Sequence, residues 1–297
     1  MSRLVECVPN VSEGRRGDVI DRMADAIRGV DGVRLLDRTS DIDHNRSVFT
    51  YAGEPEPVMQ ATHALVDLAF DEVDMRTHKG EHPRLGAVDV VPFVPLAGVT
   101  MDECVALAHR FGREVAARHD VPVYFYAKAA MRPERVRLPD IRQPQYEGLG
   151  ALIDTTHAPD LGPRRVHPSA GAIVVGARPF LIAFNIELAS TDLRLAQRIA
   201  KEIRESSGGL PAIQAKGFML TDPPRAQVSM NLLDFTQTSL ARVWREVESR
   251  ANAAGVEVKR GELIGLIPLD AALQVAAEAL RLEGFTRDRV IETHFLE

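Results

Sequence analysis

Val33-Arg34-Leu35-Leu36-Asp37 and Arg46-Ser47-Val48-Phe49-Thr50-Tyr51-Ala52 flank the polar run Asp41-Ile42-Asp43-His44-Asn45. Two strand-like segments thus follow one another with only a turn between them, and in the second Val48 and Thr50 alternate with Phe49 and Tyr51. Helical spacing lies on both sides. Upstream, Val19, Ile20, Met23, Ala26 and Ile27 recur three and four residues apart until Gly29. Downstream, residues 55–70 place Val58, Ala61, Leu65, Leu68 and Ala69 on one side, with Pro57 in the first turn. Apolar runs at 4–8 and 88–94 complete the order strand, helix, strand, strand, helix, strand, which is the split βαβ pattern of a ferredoxin-like unit.

The second half repeats this order without repeating its residues. Strands are expected at 180–186, 212–220, 226–233 and 256–267, with Thr221-Asp222-Pro223-Pro224 as the breaker between the middle two. Helices are expected from Ser190-Thr191-Asp192 to about 206, at 239–254 through Val243, Trp244, Val247 and Ala251, and at 269–282. The fold class is therefore α+β, with two ferredoxin-like subdomains at 1–178 and 179–297, each an antiparallel sheet with helices on one face. The intervening region, 101–176, adds a helix to about 119 and a strand at 122–127. It then becomes a connector rich in proline, glycine and arginine.

With 297 residues, 45% of them apolar, the chain can fill two cores. A formal charge of -6 argues against a nucleic-acid partner, and the run 132–142 reads as a patch for a small anion at most. Cys7 and Cys104 are too few for a disulfide framework or a metal set, which points to a reducing compartment. Glu6 interrupts the first apolar run too early for a signal peptide, and no apolar run nears the ~20 residues of a membrane helix. A cytoplasmic protein without membrane association is expected.

The densest polar stretch is 74–89, which holds His78, Glu81, His82, Arg84 and Asp89. His78 and His82 are four apart, but Gly80 and Pro83 argue against the helical zinc motif, so no metal is expected. Glu81, Asp74 or Asp89 near His82 would tune its imidazole and orient one ring nitrogen. The turn 41–46 is a polar rim that can offer Asn45 and Arg46 to an anion, or simply a hydrogen-bonded turn. The stretch 162–172 lacks both the GK[ST] ending of a P-loop and Rossmann glycine spacing, and reads as a stiff, mildly cationic loop. Asn185 and Lys216 read as exposed polar points near strand ends.

These residues resemble the formiminotransferase-domain family, folate-dependent enzymes of histidine breakdown. The resemblance rests on Leu4-Val5-Glu6-Cys7-Val8-Pro9-Asn10, Ser12-Glu13-Gly14, Asn45-Arg46, Gly80-Glu81-His82-Pro83-Arg84, Gly176-Ala177-Arg178, Gln227-Val228-Ser229 and Asn231-Leu232-Leu233-Asp234-Phe235. It implies transfer of a formimino group from N-formimino-L-glutamate to N5 of tetrahydrofolate, with His82 as base and the folate in a tunnel between the subdomains. Asp43 and Glu81 are then candidate proton partners of His82. Asn45, Arg46, Arg84 and Arg178 are candidate ligands of the glutamyl substrate, because arginine binds carboxylates bidentately. The resemblance puts folate contacts on Gly162, Pro163, Arg164, Arg165, Val166, His167, Pro168, Ser169, Ala170 and Gly171. It also implies a homodimer, with a separate cyclodeaminase acting on the product. A glutamate formyltransferase using N-formylglutamate, or a non-catalytic folate-binding protein, remains open on the residues alone.

Overall fold

In the computed structural model, which describes residues 3–295, the chain divides into the units Met1–Arg178 and Pro179–Glu297. The first unit begins with an interrupted strand, β1 (Leu4–Cys7) and β2 (Asn10–Val11). Then come α1 (Gly17–Arg28), β3 (Val33–Asp41), β4 (Arg46–Gly53), α2 (Pro55–Glu72) and β5 (Val88–Ala97), in the order the spacing predicts. β3 pairs β4, and β1 and β2 lie between β4 and β5, all antiparallel. Strand alternation sends Val5, Cys7, Phe49, Tyr51, Val91 and Phe93 into the core beneath the helices. The intervening side chains, Glu6, Arg46, Val48 and Thr50 among them, take the opposite face.

The first sheet is not purely antiparallel, and here the structure corrects the sequence reading. α3 (Met101–His119) carries the chain back over the sheet to β6 (Val123–Ala127), and β7 (Ile173–Ala177) inserts between β5 and β6, parallel to both. Parallel pairing needs such a crossover. The added strands are covered on both sides: Val123, Phe125, Ile173 and Val175 join the core under α3, while Tyr124, Tyr126 and Val174 join a second one with Ile141, Leu149 and Ile153. Ile141 belongs to α4 (Leu138–Arg142) and Leu149 to α5 (Gln145–Leu152). Much of the expected connector is therefore ordered cover for a strand that sequence reading assigned to the connector.

The second unit is built from β8 (Ile182–Leu188), α6 (Leu193–Ile203), β9 (Ile213–Thr221), β10 (Pro224–Leu232), α7 (Leu240–Ala253) and β11 (Val258–Ile264), followed by α8 (Leu269–Leu280). Its strand order is β11-β8-β10-β9, antiparallel throughout. Ile186, Leu188, Val228, Met230, Ile199 and Val243 share the core. The alternate residues are polar and largely buried: Asn185 donates to Glu262 at 3.0 Å, and Glu187 accepts from Arg225 at 3.2 Å and Arg260 at 2.6 Å. Asn185 is thus a buried, bonded residue and not the exposed point that its position near a strand end suggested. No helix among the described residues is long and apolar enough to cross a membrane.

Candidate active site

Three segments of the first unit interlock around the turn between β3 and β4. Asn45 closes that turn with φ of 49°, a left-handed conformation that asparagine tolerates better than most residues. Its Oδ1 accepts from Gly14 N at 2.9 Å and its Nδ2 donates to Lys79 O at 2.9 Å, so both ends of the side chain are bound to backbone. Asn45 thus fastens the turn to the segments on either side of it. Glycine is required where the segments touch: a Cβ on Gly14 would lie 2.2 Å from Asp41 O, and one on Gly80 2.3 Å from His44 O. This geometry accounts for Ser12-Glu13-Gly14, Asn45 and Gly80 together.

His78 and Arg84 form the next fastening. His78 Nε2 donates to Asn45 O at 3.0 Å, and its Nδ1 accepts from Arg84 Nε at 3.2 Å. Arg84 is buried, and its remaining N–H groups reach Gln145 Oε1 at 3.2 Å, Glu147 Oε2 at 2.9 Å, Glu147 Oε1 at 2.6 Å and His78 O at 3.3 Å. All five guanidinium donors therefore have acceptors. Arg84 pins the strap 78–84 to α5, and the carboxylate-binding role expected of it has no free donor to rest on. Both ring nitrogens of His78 are thus bonded within the strap and turn.

His82 lies at the tip of this strap among cations. Arg46 Nη1 is 2.8 Å from its Nε2, and the His44 ring lies edge-on with centroids 6.4 Å apart. Arg142, on α4, forms an ion pair with the buried Asp89, whose other oxygen accepts from Leu85 N at 2.8 Å. Burial, then the charges of Arg46, Arg142, His44 and Arg84, push the His82 imidazole down to about 2. The expected carboxylate partner is thus replaced by a guanidinium: Asp74 pairs with Arg76, Asp89 with Arg142, and Glu81 is exposed.

This has a consequence for acid stability. Burial also lowers His63 and His78, so the folded chain refuses protons that the unfolded chain accepts below about 6.5. Stability is then full above that value and falls as the pH drops, by up to about 1.4 kcal/mol per pH unit for His82. Melting temperatures measured from pH 7 to 5 should fall, and His82→Gln should flatten that slope. An equal slope in the variant would remove His82 as a contributor.

The remaining expected residues are spread out. Asp43 is exposed, and its carbonyl accepts from Glu81 N at 3.2 Å, so these two join the strap to the turn through backbone. Arg178 follows β7 at the other end of β5, where its N–H donates to Phe93 O at 3.1 Å; its charge acts on Glu6 and its side chain bonds Tyr126. Phe93 is four residues beyond Asp89, roughly 13 Å along a strand. The loop 162–171 bonds the chain on either side of the strap. Ala87 N donates to Ala170 O at 2.9 Å, Met75 N to Ser169 O at 2.8 Å, and a Cβ on Gly171 would lie 2.3 Å from Leu85 O. Within that loop His167 and Gly171 bond each other through backbone, Arg165 pairs with Asp120, and Gly162 approaches Val121 O.

Sequence reading missed Arg142 and Asn10. Asn10 Oδ1 accepts from Arg46 at 3.3 Å. Arg142 stood in the basic run already noted, but nothing local links it to Asp89, 53 residues away.

The fold and site together define an α+β chain with ferredoxin-like strand order that holds a buried imidazole against a guanidinium. This chain belongs to the formiminotransferase family: residues 4–178 match the N-terminal subdomain of the formiminotransferase domain, and residues 183–287 match the formiminotransferase domain that follows it. It is 42% identical to a glutamate formimidoyltransferase of Streptococcus pyogenes serotype M1 over 100% of both chains. It is also 42% identical to one of Thermoplasma acidophilum, over 97% of this chain and 96% of that one. A formimidoyltransferase-cyclodeaminase of Rattus norvegicus is 46% identical over 93% of this chain, which spans 52% of that longer protein.

Proposed function

We propose that this chain transfers the formimino group of N-formimino-L-glutamate to N5 of tetrahydrofolate, with His82 moving the protons. The observation that carries this reading is the His82 imidazole held by the Gly80 to Arg84 strap with its Nε2 2.8 Å from Arg46 Nη1. Arg46 and Arg142 each keep a buried Nε without a partner among the described residues, which suits a carboxylate of the glutamyl donor. Bound tetrahydrofolate supplies a secondary amine as nucleophile. His82 accepts the proton that this nitrogen loses as the new C–N bond forms, and returns one to the departing glutamate nitrogen. Arg84 and Asn45 act as positioning residues for the strap. The exposed Arg164 and Pro168 are the members of 162–171 proposed to meet the folate tail.

A tetrahydrofolate-dependent assay comparing formiminoglutamate with N-formylglutamate tests the donor. Faster turnover of the formimino donor is expected, and preference for the formyl donor would reassign the reaction. In the same assay Arg46→Ala should raise the donor KM about tenfold or more, the effect of losing a charge-assisted contact. An unchanged KM would place the carboxylate clamp elsewhere.

A further inference from the structure

The lone pair that a base needs is covered in this protein. A guanidinium only donates, so the 2.8 Å contact makes His82 Nε2 the acceptor of an Arg46 N–H and leaves the ring proton on Nδ1. Arg46 is itself incompletely bonded: Nη1 also reaches Asn10 Oδ1 at 3.3 Å, while its buried Nε has no partner among the described residues. Arg142 is in the same condition, with Asp89 on Nη2 and a buried Nε without one. Buried donors of this kind are costly unless an acceptor meets them.

We propose that Arg46 and Arg142 together bind one carboxylate of the glutamyl donor, and that this draws Arg46 off His82 Nε2, so that the base is uncovered only when the donor is in place. The inference deepens the formimino-transfer reading and rests on it. The groups around His82 explain the coupling. Arg46 from β4, His44 from the turn, Arg84 from the strap and Arg142 from α4 all oppose a proton on the buried ring, while Asp41 and Asp43 from the turn and Asp89 from β5 supply the negative charge nearby, Asp89 being held by Arg142. An added carboxylate weakens that opposition and takes over the Arg46 donor. The base is then both freed and made more basic by the same binding event, which limits proton transfer to the occupied site.

The test is histidine NMR on the full chain with L-glutamate as the probe, His82 being assigned from the His82→Gln spectrum. Without L-glutamate the His82 ring should remain neutral down to about pH 5; with saturating L-glutamate its midpoint should rise by at least about one pH unit. Arg142→Met should abolish that rise and increase the formiminoglutamate KM roughly tenfold, leaving the tetrahydrofolate KM in place. Arg142→Lys keeps a cation for Asp89, so it covers the case in which the methionine variant fails to fold, and it should retain part of the rise. An identical His82 titration with L-glutamate bound, or wild-type donor KM in Arg142→Lys and any folded Arg142→Met, overturns the proposal. Absence of turnover in the unsubstituted chain counts instead against the function on which it rests.

Discussion

His82→Ala should lower kcat by about 10² or more, the usual contribution of a positioned general base, while tetrahydrofolate still binds. The loss should appear in kcat because the imidazole acts on protons moved during bond exchange, whereas the proposed carboxylate contacts belong to arginines. Fluorescence or calorimetric titration with tetrahydrofolate would establish that the variant binds. The strap itself should survive the substitution, since Asn45, His78 and Arg84 hold it through contacts that do not involve the His82 ring. Near-normal turnover in a folded His82→Ala would remove the assignment of the base.

Arg84→Ala should be the most damaging change among the arginines, and for a structural reason. It leaves the part-buried His78 Nδ1 and the His78 carbonyl without their donor and cuts the tie to the exposed Gln145 and Glu147 on α5. A loss of about 2–4 kcal/mol in urea unfolding is expected, given typical costs of removing a charged, hydrogen-bonded partner. Catalysis should fall with it, as the strap carrying His82 loosens. Arg84→Lys should recover little, because one ammonium cannot reproduce the fork that spans both oxygens of Glu147 and both sides of His78. Wild-type stability with only a raised donor KM would restore the carboxylate-binding role that the sequence suggested for this residue.

Much of this architecture could be read from periodicity. The paired strands 33–37 and 46–52, with helical spacing before and after, set the ferredoxin-like order in the first half, and the same logic served the second. β7 escaped because Ile173-Val174-Val175 is a short apolar run in a proline- and glycine-rich region. A strand buried on both faces lacks the alternation that marks a half-exposed one. The candidate site was legible as a neighbourhood and illegible as a network. Gly80-Glu81-His82-Pro83-Arg84 and Asn45-Arg46 were singled out, yet which side chain bonds which depends on contacts such as that of Arg46 with His82, 36 residues apart.

By itself, then, the sequence determined the α+β class, the repeated strand and helix order and the family, because hydrophobic period and local motifs are properties of neighbouring residues. Only the tertiary structure decided the parallel extension of the first sheet and the division of labour in the polar stretch 74–89. Arg84 and His78 became fasteners, and His82 acquired a guanidinium where a carboxylate was expected. Charge and burial around a side chain are summed over segments far apart in the chain, here β4, the strap, β5 and α4, and no local pattern encodes that sum.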